Sequence, residues 1–433
     1  MTNNTEQTTV DTLTGRGSHN PVSTTRFASG ANRPTSADRV DEEDPPDGMR
    51  AGPAVFRGNA RIQRISRDHD IRLTMTLKTA KNLVLSGMVI AIITIALAEA
   101  SLRVLHYFHP LSVFYDDSYN RWRRAPGAQD MDIKLNSLGF KDSEFGPKER
   151  SVYRIVALGD SFAYGNVPYR NNFLTVLEEN LARIGNFEVL NMGIPGIGPS
   201  HYLSLLVREG LPLDPDAVLV SFFIGNDIAE GAGRRQHDSV IEHSYLWTAI
   251  RYLFLVRRFL ENSPKIRGWD AEFYGYCDTC PTLEQSEFLH IATQRASIFF
   301  SNLGDTEDKV ALSLEPIFEM KRICDTRGID FFVALVPDEV QVSAQLAALV
   351  MQRGYEPYQQ YWDAALPNRL LLKHLRSQGI EVLDLLPAFS EYAKEERLYI
   401  PRNTHWNIRG NELAGDLIAK WLVDEAGLRR QAH

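Results

Sequence analysis

Five short apolar runs set the limits on what this chain can fold into. Arg154 to Leu158, Phe187 to Asn191, Ala217 to Ile224, Phe331 to Val336 and Ile380 to Leu383 read as strands. They are short and rich in β-branched and aromatic side chains. The third run is apolar on both faces, as a central parallel strand must be. Helical patterns fall between them. Asn172 to Ile184 carries Phe173, Val176, Leu177, Leu181 and Ile184 at helical spacing and is closed by Gly185. Ser200 to Glu209 places Leu203, Leu206 and Val207 on one side, and Asp308 to Thr326 does the same with Val310, Leu314, Ile317 and Ile323 before Gly328. A last helix spans about Gly410 to Val423. Strands alternating with helices predict an α/β fold, a three-layer α/β/α sandwich around a five-stranded, mostly parallel sheet.

Upstream of residue 151 the chain changes character. Residues 1 to about 60 are rich in Thr, Ser, Asn, Gly and Pro, with an acidic knot at Asp41–Asp47, and bury too little apolar surface to offset chain entropy. A disordered cytoplasmic tail over 1–80 is expected. Leu83 to Ala98 has no charged residue, about the lower limit for crossing a hydrocarbon core of roughly 30 Å. A buried core helix is the alternative. Arg64, Arg67, Arg72, Lys78 and Lys81 precede this stretch, and Arg103 is the nearby cation after it. The positive-inside rule then gives an uncleaved, single-pass signal anchor over 82–104 in the inner membrane, amino terminus cytoplasmic and the rest periplasmic. A polar connector, 105–150, follows; it includes Asn136–Asp142 and is assigned no chemistry.

The domain 151–433 has a long insertion at about 230–305. Its apolar stretch Tyr245–Val256 fits a core-packing or membrane-adjacent helix, or a lid over the rim of the sheet. Three cysteines cannot build a disulfide framework. Cys277 and Cys280 lack the strand–helix setting of a redox motif and the further ligands of a zinc site, so in an oxidising compartment a local disulfide is expected. Cys324, on the apolar side of a helix, reads as core. A net charge of −8 argues against a general nucleic-acid binder.

Four loops fall at the carboxyl-side rim of the expected sheet, where open α/β sheets bind ligands. They are Gly159–Ser161, Asn191–Gly196, Gly225–Asp227 and Asn403–Asn407. Acyl transfer by a serine needs a nucleophile, a base within hydrogen-bond reach, and donors aimed at the developing oxyanion. Ser161 and His405 fit the first two needs, since a serine hydroxyl near pH 7 must give its proton to a base.

These four blocks, in this order, resemble the SGNH (GDSL) hydrolase superfamily of serine esterases and acyltransferases, over about Val152 to Leu422. The resemblance implies a flavodoxin-like sheet, Ser161 as nucleophile and His405 as general base. It implies an oxyanion hole made by the backbone N–H groups of Ser161 and Gly196 with the Asn226 amide. His405–Gly410 also resembles membrane-tethered bacterial enzymes that modify polysaccharides with acetyl groups. One departure stands out. The family carries an aspartate two or three residues before the histidine, and here those positions are Asn403 and Arg402. Either His405 works in a dyad oriented by Asn403 or a carbonyl, or another carboxylate such as Asp384 reaches it, or catalysis is slow or lost.

The reading is therefore a membrane-anchored serine esterase acting on acyl esters of an envelope glycan or lipid, with no metal or cofactor implied. The alternatives are an O-acyltransferase or de-O-acetylase of envelope polysaccharide, and an inactive carbohydrate-binding SGNH module.

Overall fold

The computed structural model describes residues 55–109, 118–229, 244–250, 253, 275–302 and 305–428, with side chains from residue 72 onward. The chain divides into two compact units, Met1–Lys81 and Asn82–His433. A helix, α1, spans Val55–Phe108. The tail expected through residue 80 is thus helical from Val55, which corrects the sequence reading; residues 1–54 lie outside the described residues. Pro53 and Pro110 bracket α1, and no proline lies between them, so a helix nucleated in the apolar stretch propagates outward until it meets one. Within α1, Arg72–Phe108 is long and apolar enough to cross a membrane, and none of its most apolar window is buried. Leu83 is 75% exposed, where a core helix would hide it.

The second unit is built on five parallel strands. In chain order these and the labelled helices are β1 Tyr153–Leu158, α2 Ser161–Tyr164, α3 Phe173–Ala182, β2 Phe187–Asn191, α4 Pro199–Leu205 and β3 Ala217–Phe223. After them come α5 Gln285–Arg295, α6 Thr306–Asp325, β4 Asp330–Val336, α7 Leu366–Ser377, β5 Glu381–Asp384 and α8 Ile408–Asp424. The strand order is β2-β1-β3-β4-β5, the flavodoxin-like order. Register pairs Ile155 with Val189, Val156 with Val218, Val220 with Val333, and Val333 with Val382. The five expected strands are all present, with ends shifted by one residue at most.

Side chains alternate across the sheet and split the core in two. Val156, Leu158, Val218, Val220, Val333 and Leu335 face α4, α6 and α7, where Leu205, Leu314, Ile317 and Leu371 meet them. Ile155, Ala157, Leu219, Phe332 and Ala334 face α3 and α8, against Leu177, Leu181, Ile418 and Trp421. Cys324 is buried in the first of these clusters, as expected. The sequence pattern missed α7, whose amphipathic run begins at Leu366–Pro367 after several short helical turns.

The connector is more than a spacer. It carries a two-residue hairpin, Gln129–Asp130 with Ile133–Lys134, and a set of buried polar groups. Lys141, fully buried, gives its ammonium to Asp130 at 3.0 Å and to the carbonyls of Gly165 and Val167 at 3.0 and 2.8 Å. Asp130 also accepts from the Tyr164 hydroxyl. Of the stretch expected as a helix over Tyr245–Val256, residues 245–250 and 253 are helical and the others lie outside the described residues. That helix starts against α1: the Glu99 carboxylate accepts from Ser244 Oγ at 3.0 Å and from the Tyr245 and Leu246 N–H groups at 3.0 and 2.8 Å. This contact puts it beside α1.

Replacing Lys141 removes the donor for a buried carboxylate and two carbonyls at once. Lys141→Met is expected to cost about 3 kcal/mol, the range for breaking one side of a buried pair, measured by urea unfolding of the protein. A cost below about 1 kcal/mol would contradict the bracing role.

Candidate active site

β1 lies between β2 and β3, so the chain reverses its winding direction at the carboxyl end of β1. Ligands bind at such switch points. Ser161 sits there as the first residue of α2, a single turn. One isolated turn cannot hold itself, because nucleation costs more than its one or two hydrogen bonds return. Side chains from elsewhere fix it instead. Asp160 caps its start, accepting from Phe162 N at 2.9 Å. At the other end the orphan carbonyls are taken up one by one. Asn172 Nδ2 donates to Ala163 O and Tyr164 O at 3.0 and 3.1 Å, Asn191 Nδ2 to Ala163 O at 2.8 Å, and Lys141 to Gly165 O.

His405 reaches Ser161 from the far end of the domain. Its Nε2 lies 2.8 Å from Ser161 Oγ. Its Nδ1 lies 2.9 Å from the backbone carbonyl of Asn403 and 2.7 Å from Asn403 Oδ1. A backbone carbonyl can only accept, so Nδ1 carries the proton and Nε2 offers its lone pair to the serine hydroxyl. Burial pushes the imidazole down to about 4, against the pull of the Asn403 carbonyl and with help from the nearby Arg295 cation. The ring is therefore neutral near pH 7.

The loop that delivers this ring is strained. Arg402 and Thr404 have φ of 50° and 61°, a left-handed conformation that is costly for a β-branched residue. An inner bond, His405 N to Asn403 O at 2.8 Å, and a bridge between Tyr399 and Trp406 hold the shape. So do two outside bonds, Thr282 N to Pro401 O and Leu283 N to Arg402 O, both 3.1 Å.

The other expected rim residues differ in what they touch; Gly196 faces the Trp122 ring, and no contact joins it to Ser161 or His405 among the described residues. The loop after β2 packs on the serine turn: Ile194 N donates to Gly159 O at 3.1 Å. Gly193 permits this, since a Cβ there would lie 2.3 Å from Tyr164 N. Gly196, three residues on, has φ of 74°, which glycine alone adopts without strain. The Asn226 side chain hydrogen-bonds Asp160, whose buried carboxyl is pushed up to about 6 by desolvation, opposed by the Phe162 N–H, Arg295 and that amide. Asp384 does not reach the site. It accepts from Asn368 Nδ2 and Leu386 N at 2.7 and 3.0 Å, bonds at the end of β5 rather than to His405. Cys277 and Cys280 are bonded to each other, in a segment beside the histidine loop.

Several contributors left no mark in the sequence pattern. Lys141 and Asp130 lie in the connector, and Arg295, which pairs with the buried Asp338 at 3.6 Å, lies on α5 in the insertion. Asn136–Asp142, with its turn residues, was the one local sign that the connector is folded.

Residues 300–433, which include His405 but not Ser161, Gly196 or Asn226, match the family "SGNH hydrolase-like domain, acetyltransferase AlgX". Similar solved structures include an acetyl xylan esterase, AlAXEase (12% identity, 63% of this chain and 99% of that one, TM-score 0.32). Others are a lipase/acylhydrolase from Enterococcus faecalis (14%, 62% and 94%, 0.31) and a two-domain esterase active on acetylated mannans (11%, 63% and 49%, 0.32). No curated protein matches the sequence. The match to an SGNH hydrolase-like family thus covers residues 300–433, and the sheet in the flavodoxin-like order carries Ser161 and His405 to one rim.

Proposed function

We propose that this protein is a serine esterase that cleaves acyl esters through an acyl-enzyme on Ser161. The observation that carries the reading is the 2.8 Å contact between Ser161 Oγ and a His405 nitrogen whose ring partner is held as N–H. Ser161 Oγ attacks the acyl carbonyl carbon as its proton passes to His405 Nε2. The N–H groups of Ser161 and Gly196 and the Asn226 amide receive the oxyanion. Collapse breaks the ester C–O bond and returns the proton to the leaving alcohol. Water then repeats the sequence on the acyl-enzyme, releasing a carboxylic acid and free Ser161.

His405 works here as a dyad base. The Asn403 carbonyl and amide oxygens set its tautomer, but neither carries the negative charge that would stabilise an imidazolium. A site whose Nδ1 opened to water would support the inactive reading; this one is occupied by two acceptors. A second reading, transfer of the acyl group to a sugar hydroxyl, draws on the acetyltransferase in the family description. A cleft of about 430 Å³ next to Asn403, lined by Asp130, Tyr164, Tyr276 and Thr282, has room for an acceptor alcohol. In either case the substrate is an ester of envelope glycan or lipid. Arg72–Phe108 anchors the domain on the periplasmic face of the inner membrane, which is consistent with the cationic flank before it and the disulfide beyond it.

Two outcomes follow. Ser161→Ala should abolish fluorophosphonate labelling and lower kcat on p-nitrophenyl acetate by more than about a thousandfold; labelling of the alanine variant would remove Ser161 from its role. Asn403→Asp places a carboxylate beside Nδ1, which favours the imidazolium and raises its pKa. Because His405 must be neutral to act as base, the acid limb of kcat/KM should move to higher pH, by about 1–3 units. An unmoved limb would mean that Asn403 does not govern the ring. Mass analysis after incubation with an acyl donor and a glycan separates the two readings: an acylated glycan indicates transfer, free acid alone hydrolysis.

A further inference from the structure

The orienting residue of the dyad is an amide, and an amide has two ends that differ. Only the Oδ1 end can accept from His405 Nδ1–H; turned by 180°, Asn403 would aim N–H at N–H. The Asn403 amide therefore has to be held one way round. Its Nδ2 donates to Thr282 Oγ1 at 2.7 Å, while Asn166 Nδ2 approaches Oδ1 at 3.5 Å, close to the limit of a hydrogen bond.

Thr282 belongs to a segment of the insertion that brackets the whole histidine loop. Its own N–H and that of Leu283 bond the carbonyls of Pro401 and Arg402, on the approach to Asn403. On the far side, the Tyr276 hydroxyl accepts from Ile408 N at 3.2 Å and donates to Asp278 Oδ1 at 2.6 Å. The Cys277–Cys280 bond lies between these two attachments, with Cα atoms 5.4 Å apart. Both left-handed residues of the loop, Arg402 and Thr404, fall inside the bracket. Strain of this kind persists only where neighbouring contacts over-determine it.

We infer that Thr282 is a positioning residue for the reaction: its hydroxyl oxygen fixes which end of the Asn403 amide faces His405, and so adds a second acceptor on Nδ1–H to the backbone carbonyl, holding the ring with Nε2 toward Ser161. A family aspartate would need no such partner, because its two oxygens are equivalent acceptors. Thr282 thus compensates for Asn403, and the two positions act as one device. The inference rests on the Ser161–His405 dyad.

The test is a double-mutant cycle in the full chain, with p-nitrophenyl acetate as probe because so small an ester makes little use of the adjoining cleft. Thr282→Val keeps the backbone bonds to Pro401 and the exposed position, and removes only the acceptor. It should lower kcat/KM about tenfold in the native background. Thr282→Ser should restore it to within twofold. In an Asn403→Asp background, where the end of the side chain no longer matters, Thr282→Val should cost less than twofold. A tenfold loss that persists in that carboxylate background would make Thr282 merely structural, and no loss in the native background would also overturn the inference. Thermal midpoints recorded on each variant identify any that unfold; for such a variant Thr282→Ala is read in the same cycle. If Ser161→Ala keeps its turnover, the dyad itself has failed. If Ser161 is essential and Thr282→Val is silent, only the positioning role has.

Discussion

Everything at the rim turns on one proton being kept in one place. Two acceptors on Asn403 hold a hydrogen on His405 Nδ1, which leaves Nε2 open to the serine 2.8 Å away. A histidine in water would hold that proton on either nitrogen and would be partly charged near its ordinary pKa. Burial removes the charge and the carbonyl removes the ambiguity. The cost is a backbone turned left-handed at Arg402 and Thr404, and the surrounding segment offsets it with hydrogen bonds.

Ser161 is held by the same logic in a different form. The single turn that presents it has no length to stabilise itself, so its ends are closed by Asp160, Asn172, Asn191 and Lys141, drawn from four places in the chain. The parallel sheet supplies the coarse placement by bringing the ends of β1, β2 and β3 together. Buried polar groups supply the fine placement. Both are needed for the nucleophile proposed at Ser161, because one misplaced by an ångström loses most of its advantage.

The sheet was legible in the chain because parallel strands buried on both faces leave nearly continuous apolar runs, and such runs announce themselves locally. Ser161 and His405 were legible because each sits in a short block at the end of such a run or before a helix. The departure at Asn403 was equally visible, and its resolution was not: whether a carbonyl, an amide or Asp384 faces Nδ1 depends on a loop conformation that no local pattern encodes. Lys141, Thr282 and Arg295 were invisible for a related reason. Each acts on residues far away in sequence, and a lone lysine in a polar connector looks like a solvated one until tertiary packing buries it. The start of α1 at Val55 is not marked by composition, which shows which segments can bury apolar surface and not where a helix begins.

The central claim is a statement about the protonation of one ring, and it can be read directly. Nitrogen NMR of the histidine-labelled protein should show His405 neutral and protonated on Nδ1 at pH 6, with a titration midpoint near 4. A midpoint at or above the ordinary 6.5, or a ring protonated on Nε2 when neutral, would contradict the account.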